Sequence, residues 1–140
     1  MIRSGRNRKP RYPDLKLYEE ILFLQHNFRG LWVVENVVPY YKPLIDGFKI
    51  GRHYFWASFK LVDFQVPEFK NMMNRQNLAA KEALMDWIGI RYDKNIYYEG
   101  NHCPTQVLRN CVHPELGLHV LNCSQGIIKA SEALKQTVLF

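Results

Sequence analysis

A chain of 140 residues with 47% hydrophobic and 14% aromatic content is one domain at most and has enough apolar material for a packed core. Its formal charge of +6 favours a polyanionic partner, nucleic acid first. No apolar run approaches the roughly 20 residues of a membrane-spanning helix, the basic N-terminus lacks the apolar stretch of a signal peptide, and three irregularly spaced cysteines argue against a disulfide framework, so a cytoplasmic setting is expected.

In chain order, residues 1–13 are basic, with Arg3, Arg6, Arg8, Lys9 and Arg11, and are interrupted by Pro10 and Pro13. They read either as a solvated end or as an arm that contacts phosphates. Asp14 is suited to cap a helix in which Tyr18, Ile21, Leu22, Gln25 and Phe28 share one face and which stops at Gly30. A strand is expected over Leu31–Asn36, and helix plus strand then make half of an α/β crossover. Pro39, Pro43 and Gly47 mark Tyr40–Lys49 as a loop just past that strand, followed by a second, aromatic strand over His53–Phe59. Farther on, Asn77 caps an expected helix through Ile88 with Leu78, Leu84, Met85 and Ile88 inward and Gly89 at its end. Arg91–Cys103 is polar and tyrosine-rich. Thr105 opens a helical stretch containing Val107, Leu108, Cys111 and Val112, which Pro114 breaks, and a last short helix is expected over Ser124–Leu134.

Within this pattern the run Trp32-Val33-Val34-Glu35-Asn36-Val37-Val38 places a carboxyl and a carboxamide at the far end of an apolar, β-branched segment. In open α/β sheets, ligands bind beyond the carboxyl ends of the strands, so both side chains are candidates for a site. Low dielectric disfavours a charged carboxyl, and a carboxyl among apolar neighbours can therefore donate a proton near neutral pH. The plainer alternative is a polar residue that simply ends a strand.

Three motifs in order carry a resemblance. Glu35-Asn36-Val37 resembles the Glu-Asn-Val motif of the DNA (cytosine-5)-methyltransferases, phage-type members in particular. Arg52-His53 falls where that family has its arginine motif, and Gln106-Val107-Leu108-Arg109-Asn110-Cys111-Val112-His113-Pro114 is similar to its final Gln-x-x-Gly-Asn-x-Val-x-Pro motif, with Arg109 in place of the glycine. The resemblance implies an α/β fold, a partial Rossmann-like methyltransferase sheet with flanking helices and a small target-recognition insertion. Its segments would be a basic arm (1–13), the C-terminal half of the methyltransferase core (14–60), a short target-recognition-like region (61–104), and the final motif with a C-terminal helix (105–140).

The implied chemistry is attack of a cysteine thiolate on C6 of a flipped cytosine in double-stranded DNA, followed by methyl transfer from S-adenosylmethionine to C5. Charge pushed onto the ring is relieved by a proton or strong hydrogen bond at N3, the role that falls to Glu35. Arg52 would hold the cytosine O2 and orient Glu35. Asn36, Val37, His53 and Lys42 are the implied substrate-binding residues, and Gln106, Asn110 and Val112 the implied cofactor-binding ones. Base flipping also needs a basic surface for the phosphates, for which Lys42, Lys49, Lys60 and the N-terminal arginines are candidates.

Two family motifs have no counterpart: the Phe-x-Gly-x-Gly cofactor loop and the Pro-Cys-Gln nucleophile loop. Cys103, Cys111 and Cys123 do not replace the latter, since none follows a proline ahead of the Glu-Asn-Val strand. The chain thus resembles the C-terminal part of a catalytic domain, inactive in isolation, whose cofactor loop and nucleophilic cysteine come from a complementary chain. The alternative is a non-catalytic methyltransferase remnant that binds DNA or a protein. His102, His113 and His119 lie among the cysteines, but without a Cys-x-x-Cys pair no metal site is expected.

Overall fold

The computed structural model describes residues 13–69, 78–97 and 103–128. The basic arm up to residue 12, Asn77, the Leu78 side chain, His102 and everything past residue 128 lie outside these. The described residues sort into two compact units, one made of those up to Gln65 together with those from Val120 onward, the other of those within Val66–His119.

The first unit is built on helix α1, Leu15–Asn27, and three strands, β1 (Val33–Val37), β2 (Phe48–Ile50) and β3 (His53–Ala57). Asp14 caps α1 as expected, its carboxylate accepting from the Lys16 N–H at 3.1 Å. Only Tyr18 and Ile21 of the expected inner face are buried; Leu22, Gln25 and Phe28 are exposed. This narrow stripe is what one helix buries against a sheet of three short strands.

The strand order is β1-β3-β2, and both pairings are antiparallel. The half-crossover expected from the helix-to-strand unit is therefore not found among the described residues. Strand β1 finds its partner by reversal of the chain, because a two-residue hairpin at Gly51-Arg52 returns β2 into β3. Gly51 has φ 56, the left-handed conformation that such a hairpin needs at its first central position. The strand Phe48–Ile50 corrects the expectation of a loop through Lys49: three residues between two glycines are too few to show a period.

Directly opposed residues of an antiparallel pair share a face. Glu35, Phe55 and Phe48 thus form one row across the sheet, and Val37, His53 and Ile50 the next row on the same side. On the other side Val34 lies opposite Trp56, and Asn36, Tyr54 and Lys49 align. There the core forms, with Tyr18, Ile21 and Trp56 buried together and Trp32, Val34, Ile45 and Tyr54 packed around them. The Tyr18 and Trp56 rings meet edge to face at 6.2 Å.

The same two rings hold down the segment that follows β1. The Tyr18 hydroxyl accepts from the Leu44 N–H at 3.1 Å, and the Trp56 indole N–H donates to the Ile45 carbonyl at 2.9 Å. A Cβ on Gly47 would come within 2.9 Å of both the Phe55 carbonyl oxygen and the Trp56 indole nitrogen, so glycine permits this segment to lie flat on β3.

In the second unit, helix α2, Leu78–Ile88, and the short helix α3, Gln106–Asn110, bury Leu84, Met85, Ile88 and Leu108 against each other, with Phe69, Trp87, Tyr92 and Cys111 packed around them. Of the expected inward residues of α2, Leu84, Met85 and Ile88 are buried, the Leu78 side chain lying outside the described residues, and the helix stops before Gly89 as expected. Pro114 does not end a helix but begins one, α4, Pro114–Ser124. Proline suits the first helical turn, where its missing N–H has no partner to lose. Ser124 is the last residue of α4 and not the first of a later helix, a correction to the expected Ser124–Leu134; residues past 128 lie outside the described ones. The boundary between the two units, at His119–Val120, falls within α4.

Candidate functional site

Glu35 sits at the middle of β1, opposite Phe55. His53, first residue of β3, lies one residue pair along on the same face, and this diagonal brings its Nδ1–H to the Glu35 carboxylate, donating to Oε1 at 2.5 Å. The two partners differ in environment. The His53 side chain is 5% exposed, whereas that of Glu35 is 31% exposed, so the imidazole is fixed inside the unit while the carboxylate keeps an open side. The bond sets both the direction of the carboxylate and the ring nitrogen that carries the proton.

Arg52 occupies the tip of the hairpin immediately before His53. Its side chain is exposed, and its carbonyl accepts from the Val38 N–H at 2.9 Å, which extends the β1–β3 pairing past Val37. His53 is thus in contact with Glu35, and Arg52 stands at the turn before it. Asn36 faces the opposite side of the sheet, and its Oδ1 accepts from the Val37 N–H at 2.8 Å. Val37 is exposed beside His53, and Lys42 is exposed in the segment after β1. Together these place a carboxylate, an imidazole and the arginine turn within the first unit.

Gln106, Asn110 and Val112 belong to the second unit. Gln106 Nε2 donates to Asn110 Oδ1 at 3.0 Å across one turn of α3, and Val112 is half-buried just beyond. Among the described residues no glycine-rich loop adjoins these two amides, which are tied to one another and do not by themselves form a cradle for S-adenosylmethionine.

The second unit also holds chemistry that the sequence did not signal. Lys81 is 4% exposed; its ammonium donates to Asn95 Oδ1 at 3.1 Å and lies 4.3 Å from the centre of the Tyr92 ring, an arrangement that satisfies a buried cation. A lysine in the first turns of a helix carries no mark of burial in its spacing. His113 Nε2–H donates to the Trp87 carbonyl at 3.1 Å, and its Nδ1 accepts from the Glu115 N–H at 3.3 Å, so both ring nitrogens serve to join α2 to the start of α4.

Cys103, Cys111 and Cys123 form no disulfide. Burial alone would raise the Cys103 thiol, yet the Thr105 hydroxyl and N–H, the Arg109 guanidinium and the Gln106 N–H together hold it below its ordinary value. Burial pushes the Cys111 thiol up. Among the described residues no group of three or more histidine, cysteine or acidic side chains stands together to hold a metal, and no helix is long and apolar enough to cross a membrane. Compared with known proteins, the chain matches no family model, no curated protein and no solved structure.

Proposed function

We propose that this chain is a component of a DNA (cytosine-5)-methyltransferase, providing Glu35 and Arg52 to a flipped cytosine while a complementary chain provides the nucleophilic cysteine and the main S-adenosylmethionine loop. The observation that carries this reading is the oriented carboxylate: Glu35 is held on its inner side by His53 at 2.5 Å and open on its outer side, where it can hold a proton on the N3 of a flipped cytosine. Arg52 at the adjoining turn offers a cation where a carbonyl oxygen gains charge.

Both pairings of the three-stranded sheet are antiparallel, so the Rossmann-like part of the reading rests on the sequence resemblance and not on this sheet. β1 has an open edge among the described residues, and an open edge is a template for a strand of another chain.

Reconstitution tests the reading. The chain is combined with a methyltransferase fragment that bears the cofactor loop and the Pro-Cys-Gln motif, and methyl transfer to duplex DNA is measured. Glu35→Gln in the complex is expected to lower the rate by about 100-fold or more, the scale of positioned proton transfer, with DNA binding retained. Full activity of the isolated chain, or of the Glu35→Gln complex, would refute it.

One observation favours a second reading, the non-catalytic remnant that binds DNA or a protein. The Glu35 carboxylate already has a partner inside its own unit, as a structural pair would. Unchanged DNA binding and no gain of methyl transfer with any complementary fragment would select this reading.

A further inference from the structure

Two adjoining clefts lie in the first unit, and neither is lined by Glu35 or His53. One, of about 300 Å³, is lined by Trp32, Phe48 and Phe59 together with Asp46 and Lys60. The other, of about 580 Å³, shares Trp32 and Ala57 with it and continues to Arg29. Both volumes fall in the range of small-ligand pockets.

Their walls combine three kinds of group. Phe48 is 40% exposed, and Trp32 and Phe59 are half-buried, so aromatic surface remains accessible where β1 begins and β3 ends. The Trp32 backbone is tied to Ser58: its main-chain N–H donates to Ser58 Oγ at 2.9 Å and its carbonyl accepts from the Ser58 N–H at 3.0 Å. Lys60 and Arg29 are exposed on either side of it, and neither is committed to a carboxylate among the described residues. Asp46, also exposed, is the one anion among these walls.

We infer that these clefts form a binding site for an unpaired nucleotide, whose base stacks on the aromatic walls beside Trp32 and whose phosphate meets Lys60 or Arg29. Aromatic platforms between cations are how unpaired bases and their backbone are held without regard to sequence. Asp46 accepts from an exocyclic amine, so adenine or cytosine is favoured over thymine. The nucleotide is either free or part of a single strand, and the clefts adjoin in the manner a strand of more than one nucleotide would require. The inference does not depend on methyl transfer; of its residues only Lys60 is also a candidate for the phosphate-holding surface of that reading.

The test follows the indole N–H resonances of the full chain by nuclear magnetic resonance during titration with dAMP, with dTMP, and with a short single strand of deoxyadenylate. The expected result is movement of the Trp32 resonance with dAMP and with the strand, a stationary Trp87 resonance, and weaker binding of dTMP. Lys60→Glu and Arg29→Glu, both at exposed positions, are each expected to weaken binding by about tenfold, a loss on the scale of one phosphate contact with its stacking. A strand that binds more than about tenfold tighter than dAMP and weakens with salt identifies single-stranded DNA as the source; equal affinities identify the free nucleotide. A Trp32 resonance unmoved by millimolar dAMP and by the strand, or affinities untouched by both charge reversals, would overturn the inference. Glu35→Gln is expected to leave this binding intact, so the outcome is separate from that of the reconstitution experiment.

Discussion

At Glu35 and His53 the cost of losing either partner is unequal, because water reaches the carboxylate but not the imidazole. Glu35→Ala leaves the buried His53 Nδ1–H without an acceptor and is expected to lower the unfolding free energy by about 1–3 kcal/mol. Glu35→Gln retains an acceptor oxygen and is expected to cost less. Chemical denaturation of the two variants checks the order, and an Ala variant as stable as the parent chain would show that the bond is not formed in solution. The thiols provide a second residue-scale expectation. The thiolate is the reactive form, and the Cys103 thiol is held low while that of Cys111 is pushed up. As pH rises, alkylation of Cys103 therefore reaches its plateau at lower pH than that of Cys111. Thr105→Val removes the hydroxyl that sits 3.2 Å from the Cys103 sulfur and is expected to move the Cys103 profile to higher pH. Peptide mass analysis after timed alkylation reads both.

The hairpin at Gly51-Arg52 leads directly into His53 and sets the register Ile50 opposite His53, while the pairing of Val37 with His53 sets the diagonal from His53 to Glu35. With φ 56 at Gly51, a side chain there meets the strain of the left-handed region. Gly51→Ala is expected to destabilise the first unit by about 1–2 kcal/mol, and thermal unfolding followed by the aromatic signal of Trp56 measures it. An unchanged midpoint would mean that the turn adopts another form. The helices were easier to read than this turn. The Asp14 cap and the inward spacing of Leu84, Met85 and Ile88 are local signals, while β2 escaped notice because a three-residue strand has no visible period. Proline at a helix start and proline after a helix end look alike until the position of the next turn is known, which is why Pro114 reads as a stop from its sequence neighbours alone.

For the whole molecule, charge is the property with the clearest consequence. Arg3, Arg6, Arg8, Lys9 and Arg11 are a large share of the cations in a chain of net charge +6. Each phosphate contact contributes about 0.9 to the slope of log affinity against log salt on duplex DNA. Deleting residues 1–12 is expected to weaken duplex binding at low salt and to flatten that slope, measured by fluorescence anisotropy over a salt series. An unaltered slope would remove the arm from the interface.

By itself, the sequence determined the polar Glu35 on an apolar strand, the cap of α1, the buried stripe of α2 and the aromatic character of β3, all of which rest on neighbours within a few positions. Tertiary structure alone decided that the sheet runs antiparallel in the order β1-β3-β2, that the partner of Glu35 is His53, 18 positions away, and that Lys81 is buried under Tyr92. The physical reason is the same in each case. Periodicity and capping are written into adjacent residues, whereas pairing across a sheet and enclosure of a side chain arise only when a turn brings distant segments into contact.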